Sequence, residues 1–323
     1  MHVHILHQPE AQARQRLEIG LHPSIQVSYG GVEHSAPFEV LVAGRPSRRE
    51  LEASQVLATL VIPFAGLPKV TEELLLQRPS LQVLNLHHNA APTAEMAVTL
   101  MLAAMKRILP ADQDLRRGDW SMRYQPRTSR MAAGGEAVIL GFGAVGQEVA
   151  TRCQALGMQV TAISRSGEPS GRSDMRVLPV KALDEALRTC AALLICLPLT
   201  EETRGLIDAQ RLRLLPEDAV LINVGRGDVV EEEALYNLLN DGRILGAGLD
   251  VWYHYPASEE ERTHTRPSRC PFHELDNVVM SPHMAGGVQD MELRRMEGLA
   301  ALLNHLANGV VPAENVVDVR RGY

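Results

Sequence analysis

Three groups of residues in this chain have types and spacings that suit chemistry. The first is Gly141, Gly143 and Gly146, spaced G-x-G-x-x-G. Between a strand and a helix this spacing suits a dinucleotide phosphate. Gly141 permits the tight turn, Gly143 lets the backbone approach the pyrophosphate, and Gly146 lets helix and strand pack closely. Ala144 and Val145 lie within this turn, and the helix that follows has free N–H groups and a positive dipole end that favour an anion. The bare spacing also fits an ordinary glycine-rich turn or an adenosyl-methionine turn. The second group is Ser164, Arg165 and Ser166, which stand where an NAD site usually carries Asp or Glu for the ribose 2′-hydroxyl. A carboxylate would repel a 2′-phosphate, whereas Arg pairs with one in two-pronged fashion and hydroxyls donate to it. NADP(H) is therefore expected in preference to NAD(H), which stays possible; Arg165 as a solvated loop residue is the plainer alternative. The third group is Arg226 and His283. Arg226 can bind a carboxylate and polarise the adjacent carbonyl, with flanking glycines keeping its guanidinium accessible. His283 can give a proton to the carbonyl oxygen and take one in reverse, because imidazole titrates near neutrality. Facing a nicotinamide, the pair suits hydride transfer at a C–OH/C=O centre. Taken singly, such an Arg is usually a surface residue and such a His often a structural one.

These residues need a scaffold that brings strand ends together. Residues 137–140 form a continuous apolar run, as expected of a strand buried on both faces. A helix over 147–156, stopped by Gly157, and a second strand over 158–163 complete the unit. Further apolar runs at 191–197, 219–224, 244–249 and 278–280 each end in polar or Gly/Pro residues. That register predicts Pro198, Arg226, Asp250 and His283 along one edge of one sheet, the edge that carries the glycine turn. Earlier in the chain, strands at 2–6, 25–28, 38–43, 56–62 and 81–86 alternate with helices at 10–17 and 70–77, and Ser47 reads as the cap of a helix that runs through Glu52. This half has no phosphate loop and is read as holding substrate. Phe64, Ala65 and Gly66 end one of its strands; Gly66 could offer backbone N–H groups to an anion, or be a plain turn. His87 and His88 end another and read as a wall of the active-site cleft, with a surface turn as the alternative. No metal is expected there, since neighbours in an extended segment point opposite ways and no third ligand is in view. Residues 94–109 read as a long apolar helix buried between domains and ended by Pro110, with a loop following. A long amphipathic helix is expected over 289–308, after which residues 316–319 pack back on the first domain. The fold class is α/β, with two doubly wound parallel-sheet domains: a flavodoxin-like substrate domain (1–99 and 288–323) and a Rossmann coenzyme domain (100–287).

The bulk properties agree with such a protein. The chain has 323 residues, 45% hydrophobic and 22% charged, with a formal net charge of −7. Acidity of this degree argues against nucleic acid as the main partner. The four cysteines include no C-x-x-C pair and read as reduced packing residues, as in cytoplasm. No apolar run approaches the roughly 20 residues needed to span a bilayer, and the N-terminus reads as a strand rather than a signal peptide.

Several motifs then fall in order: Gly141–Gly146; Leu197-Pro198-Leu199-Thr200 with Thr203; Asn223-Val224-Gly225-Arg226-Gly227; Gly248-Leu249-Asp250-Val251; and Ser281-Pro282-His283 with Gly286. Ala94-Glu95 opens the long helix, and Arg116, Gly118 and Trp120 follow it. With this set the chain resembles the D-isomer-specific 2-hydroxyacid dehydrogenase family over nearly its whole length. The resemblance implies two domains joined by two crossing helices, an active site in the cleft, and a homodimer. It implies Arg226 as the binder of a 2-oxo acid, His283 as acid/base, and Asp250 as the holder of the nicotinamide carboxamide. Leu197, Pro198, Thr203, Val224 and Gly286 would line the cofactor, and the backbone at Ala65 and Gly66 would bind the substrate carboxylate. The chain departs from the family at Tyr255, which stands where a Glu normally hydrogen-bonds the catalytic His and raises its pKa; formate dehydrogenases carry Gln there. A neutral phenol can orient an imidazole but supplies no full counter-charge. The adjacent His87 and His88 also differ from the family's small or apolar loop and imply a more polar pocket. Two alternatives stay open: a dehydrogenase of formate or a similar small anion, and a nucleotide-sensing regulator with little catalysis.

Overall fold

The computed structural model describes residues 1–34, 37–125, 129–167 and 175–323. The chain forms two compact units, residues 1–89 with 287–323, and residues 90–286. In the first, β1 (His2–Ile5), β2 (Gln26–Tyr29), β3 (Val40–Val42), β4 (Thr59–Ile62) and β5 (Gln82–Asn85) lie parallel in the order β2-β1-β3-β4-β5. That is the flavodoxin-like order. The final helix, Met291–Ala307, packs on the helix Ala11–Gly20 of the same unit. The C-terminal residues return to it as expected: Val317 N–H donates to the Val83 carbonyl at 2.9 Å and Val316 bridges Leu84.

The second unit holds β6 (Glu136–Leu140), β7 (Gln159–Ser164), β8 (Arg176–Pro179), β9 (Ala192–Ile195), β10 (Val220–Asn223), β11 (Gly246–Leu249) and β12 (Val278–Met280). They are parallel in the order β12-β11-β10-β9-β6-β7-β8. The direction of winding reverses between β6 and β9, and open α/β sheets bind ligands beyond the strand ends at such a point. Strands β9, β10 and β11 are buried throughout, which is why each reads as an unbroken apolar run.

Ser47 does cap the helix Arg48–Glu52, with Glu50 as the reciprocal partner: Ser47 N–H donates to the Glu50 carboxylate at 2.6 Å and Glu50 N–H donates to Ser47 Oγ at 3.3 Å. Three residues is the reach of a capping box. Several local expectations are corrected. The strand expected over 56–62 begins only at Thr59, and Val56 is exposed in a turn. The long helix runs Ala90–Lys106 and breaks at Arg107, whose φ is 51°. Pro110 is the cause but not the end-point. It cannot donate to the carbonyl of Lys106 and its ring crowds that carbonyl, so the helix stops before it. A new helix, Ile108–Arg116, then carries Pro110 in its first turn, where no N–H is needed, and replaces the expected loop. The expected domain division at residues 99 and 100 falls inside helix Ala90–Lys106, which packs whole on the second unit against the helix Ala144–Ala155 and strands β10 and β11. At Gly248 of β11 a Cβ would come within 2.7 Å of Leu100 Cβ, so glycine lets this helix lie directly on the sheet.

The long polar stretch after Asp250 folds back on its own unit. Tyr253 N–H and His254 N–H donate to the Pro267 carbonyl at 3.2 and 2.9 Å, and Tyr253 O–H donates to the Val230 carbonyl at 3.1 Å. The buried Glu232 carboxylate accepts from Ser268 Oγ, Arg269 N–H and the Arg269 guanidinium at 2.7 to 3.2 Å. Burial pushes its pKa up, but these hydrogen bonds outweigh burial and hold it below the usual carboxylate range. A depressed folded-state pKa stabilises above the unfolded value and loses that contribution as pH falls through the folded one. Glu232→Gln should therefore lower unfolding free energy by about 1–2 kcal/mol at neutral pH. The difference from the parent should shrink toward about pH 4 in urea titrations; an equal deficit at both pH values would contradict the tether.

Candidate active site

The glycine turn fits a dinucleotide, and its three glycines have three different reasons. Gly141 has φ of 102° and lies against the Cys196 carbonyl, so it is fixed by conformation and crowding. A Cβ on Gly146 would overlap the Gly141 carbonyl oxygen. Around Gly143 nothing lies within 4 Å of an added Cβ, and its φ is −78°. Nothing inside the protein demands glycine there; a ligand pressed against the backbone would. Gly143 is also the N-cap of the helix Ala144–Ala155, and no side chain caps it. The N–H groups at Ala144, Val145 and Gly146 thus open the helix, where a phosphate finds donors and a favourable dipole.

The end of β7 carries Ser164, Arg165 and Ser166. Ser164 Oγ accepts from Gly167 N–H at 3.0 Å, shaping the turn, and Arg165 and Ser166 are exposed. Beyond β9, the Pro198–Thr203 segment is tied by its own hydroxyls. Thr203 O–H donates to the Pro198 carbonyl at 2.7 Å, and Thr200 N–H donates to Thr203 Oγ1 at 2.8 Å. Leu197 and Pro198 are partly exposed at this edge and Val224 is nearly buried at the end of β10; Gly286, partly exposed, follows the β12 end.

Arg226 leaves the end of β10 exposed to solvent. The flanking glycines do more than keep its guanidinium accessible. A Cβ on Gly225 would sit 2.5 Å from the Leu197 carbonyl oxygen, and one on Gly227 would strike the Trp252 carbonyl. Neighbouring strand ends thus close on the backbone to either side of Arg226. Asn223 Nδ2 donates to the Arg226 carbonyl at 2.9 Å and its Oδ1 accepts from Gly225 N–H at 3.0 Å, fixing the loop. The guanidinium donates to the Gly225 carbonyl at 2.6 Å and makes no ion pair among the described residues.

His283 follows β12 and has φ of 54°, a left-handed conformation rare outside glycine. Asp250 holds it there. Its fully buried carboxylate accepts from Ser281 Oγ at 2.6 Å, Met284 N–H at 2.9 Å and Ala285 N–H at 3.0 Å, and His283 N–H donates to the Asp250 carbonyl at 2.8 Å. The side chain expected at the nicotinamide carboxamide thus also anchors the histidine loop. Trp252 Nε1–H braces the same loop at the Ser281 carbonyl, 2.9 Å away. Tyr255 lies beside His283, the ring centroids 5.4 Å apart and tilted by 56°. Its oxygen accepts from Trp252 N–H at 3.0 Å, so the phenol makes ring contact with the imidazole rather than orienting it by a hydrogen bond. Partial burial lowers the pKa of His283; Arg226 lowers it further and Asp250 opposes the fall.

In the first unit, Phe64 lies over Gly44, where a Cβ would come within 2.5 Å of its ring. Asn85 Nδ2 donates to the Ala65 carbonyl at 2.7 Å, joining the ends of β4 and β5, and Gly66 follows, partly exposed. His87 Nε2 lies 2.9 Å from the Glu314 carbonyl. His88 is pushed down to about 4 by burial, then by Arg295 and His87, so it is neutral and offers an anion no charge. Sequence patterns gave no sign of either restraint, because both partners lie in the C-terminal segment. Among the described residues no group of three His, Cys, Asp or Glu could hold a metal ion, and no helix is long and apolar enough to cross a membrane.

Comparison with known proteins decides the family. The model of the D-isomer specific 2-hydroxyacid dehydrogenase NAD-binding domain matches residues 98–285, more than half the chain. The chain belongs to this family. A glyoxylate reductase of Thermococcus kodakarensis is 35% identical over 238 residues, covering 71% of this chain and 68% of the relative. A D-isomer specific 2-hydroxyacid dehydrogenase of Xanthobacter autotrophicus Py2, solved with NADPH and MES, matches with a TM-score of 0.78 at 25% identity over 99% of both chains. An NADPH-dependent glyoxylate/hydroxypyruvate reductase of Sinorhizobium meliloti, solved with NADP and sulfate, shares the fold with a TM-score of 0.75 at 22% identity, over 100% of this chain and 99% of that one. As a 2-hydroxyacid dehydrogenase the protein is an NAD(P)-dependent oxidoreductase, and its glycine turn has the open backbone and uncapped helix start that a phosphate needs.

The asymmetry among the glycines gives a test. Gly143→Ala should leave thermal unfolding of the cofactor-free protein within about 0.5 kcal/mol of the parent, yet weaken NADPH binding about tenfold or more in a fluorescence titration. Gly146→Ala should destabilise the fold itself by about 1–3 kcal/mol. Equal effects of the two changes on stability would contradict the assignment.

Proposed function

We propose that the protein is an NADP(H)-preferring reductase that converts a small 2-oxo acid to the D-2-hydroxy acid. The carrying observation is the exposed guanidinium of Arg226, without an ion pair, beside His283 at the sheet edge that holds the glycine turn. When bound, the reduced nicotinamide supplies the hydride. Arg226 holds the substrate carboxylate and draws electron density from the neighbouring carbonyl. As the carbonyl carbon accepts hydride, its oxygen takes a proton from His283, which solvent then restores. Asp250 keeps His283 in place, and the Ala65–Gly66 backbone of the first unit is assigned to the substrate carboxylate by family resemblance. Arg165, with Ser164 and Ser166, supports the 2′-phosphate; the NADPH and NADP named with related structures accord with that choice. Buried free cysteines accord with a reducing, cytoplasmic setting.

Oxidation of formate or a similar small anion is the second reading. It draws support from the missing carboxylate partner of His283, since formate gives up hydride as carbon dioxide without releasing a proton to an acid/base.

A panel of 2-oxo acids with NADPH or NADH, and formate with NADP⁺ or NAD⁺, tests both. Reduction with a higher kcat/KM for NADPH than NADH is expected. Arg226→Ala should cost about 10²–10³-fold and His283→Ala about 10²–10⁴-fold in kcat/KM. Turnover surviving both changes would sink the site, and turnover of formate alone would select the second reading. Homodimer formation is supported by the helix Ile108–Arg116, which buries none of its residues, and by exposed Ile108, Leu115, Trp120 and Tyr124. Sedimentation should give a dimer, reduced to monomer by Ile108→Glu with Leu115→Glu; a monomeric parent would refute it.

A further inference from the structure

The charge balance around His283 bears on which 2-oxo acids the site takes. Within this unit the titratable and charged groups that face the imidazole are Arg226 from the end of β10, Asp250 from the end of β11, and Tyr255. Asp250 is fully buried, accepts three hydrogen bonds from the histidine loop, and raises the imidazole pKa by less than burial and Arg226 lower it. Tyr255 feels Arg226, Asp250 and Asp228, and Asp228 is paired with Arg204. The phenol is half-buried, and burial raises its pKa, so it keeps its proton at neutral pH. Its oxygen already accepts the Trp252 N–H, while its own hydrogen has no acceptor among the described residues. The site therefore offers a guanidinium, an imidazole and a phenol O–H, all of them donors, with no free anion among them.

A singly charged 2-oxo acid cannot balance this set. Its carboxylate on Arg226 answers one cation and leaves the imidazolium that must donate a proton with only the buried Asp250, whose effect burial and Arg226 outweigh. A second anionic group on the substrate would answer it. We propose that the preferred substrate is a dianion, a 2-oxo acid with a second carboxylate or equivalent anionic group on a short side chain. That group accepts the Tyr255 O–H and adds, beside His283, the negative charge that Asp250 alone does not supply in full. Tyr255 is then a specificity-determining residue. A negative charge placed next to an imidazolium favours the protonated form, so the substrate itself restores the acid needed for its reduction. This inference rests on the reductase reading above.

The test compares NADPH-dependent reduction of matched pairs by the full-length protein: 2-oxobutyrate against oxaloacetate, and 2-oxovalerate against 2-oxoglutarate. In at least one pair the diacid should lead by about 10- to 100-fold in kcat/KM, the range of a charge-assisted hydrogen bond. The alkaline fall of kcat should lie at higher pH with the diacid than with the monoacid. Tyr255→Phe removes the donor and should erase most of the preference. Tyr255→Glu should reverse it, repelling the diacid while moving the monoacid limb upward. Equal or better turnover of the monoacids, with coincident pH limbs, would overturn the proposal and leave the reductase reading standing. No reduction of any 2-oxo acid would overturn that reading and this inference with it.

Discussion

Asp250 joins two strand ends by spending its charge on backbone and hydroxyl donors. Its oxygens accept from Ser281, Met284 and Ala285, which fixes the loop after β12 to the end of β11. Between those partners sits His283, in a left-handed conformation that costs a non-glycine residue about 1–3 kcal/mol. The strain persists because the three bonds and the Trp252 brace over-determine the loop. Asp250 raises the pKa of His283, but burial and Arg226 outweigh it, so the imidazole is held below its ordinary value despite the acid beside it.

The sheet edge around this loop is assembled by backbone against backbone. Gly225 admits Leu197, Gly227 admits Trp252, and Gly248 admits the helix Ala90–Lys106. Each contact draws one strand end toward the next and leaves Arg226 as the outward side chain between two crowded positions. The parallel order of the sheet does the rest, since every strand from β6 to β12 presents its C-terminal end on one side. The glycine turn, Arg226 and His283 share one edge because the parallel topology leaves them no other side.

Much of this is legible in the sequence. Fully buried strands read as apolar runs, and each ends where Gly, Pro or a polar residue interrupts it, so the edge carrying Arg226, Asp250 and His283 follows from register alone. Glycine spacing identifies the turn as well. Less accessible are matters that depend on a partner far along the chain. The anchoring of the histidine loop by Asp250 appears only when its three donors are seen, and Tyr255 reads as an imidazole partner until its oxygen is found on Trp252 N–H. The neutrality of His88 follows from burial and from Arg295, which no local pattern reports. The strand β8 is a short, half-exposed edge and carries no period strong enough to announce itself. Pro110 shows how a correct physical signal can be placed wrongly: proline does end the helix, but one turn earlier than its own position.

The central claim is that His283 works beside a cation and without a carboxylate partner. The imidazole resonances of His283, assigned by their loss in His283→Gln, can be followed by NMR as pH is varied in the protein free of substrate. The account predicts a pKa below the ordinary imidazole value of 6.5, and a rise when Arg226 is replaced by Gln. A value at or above 6.5 in the parent, unmoved by that replacement, would show that an acidic group pairs with His283 after all.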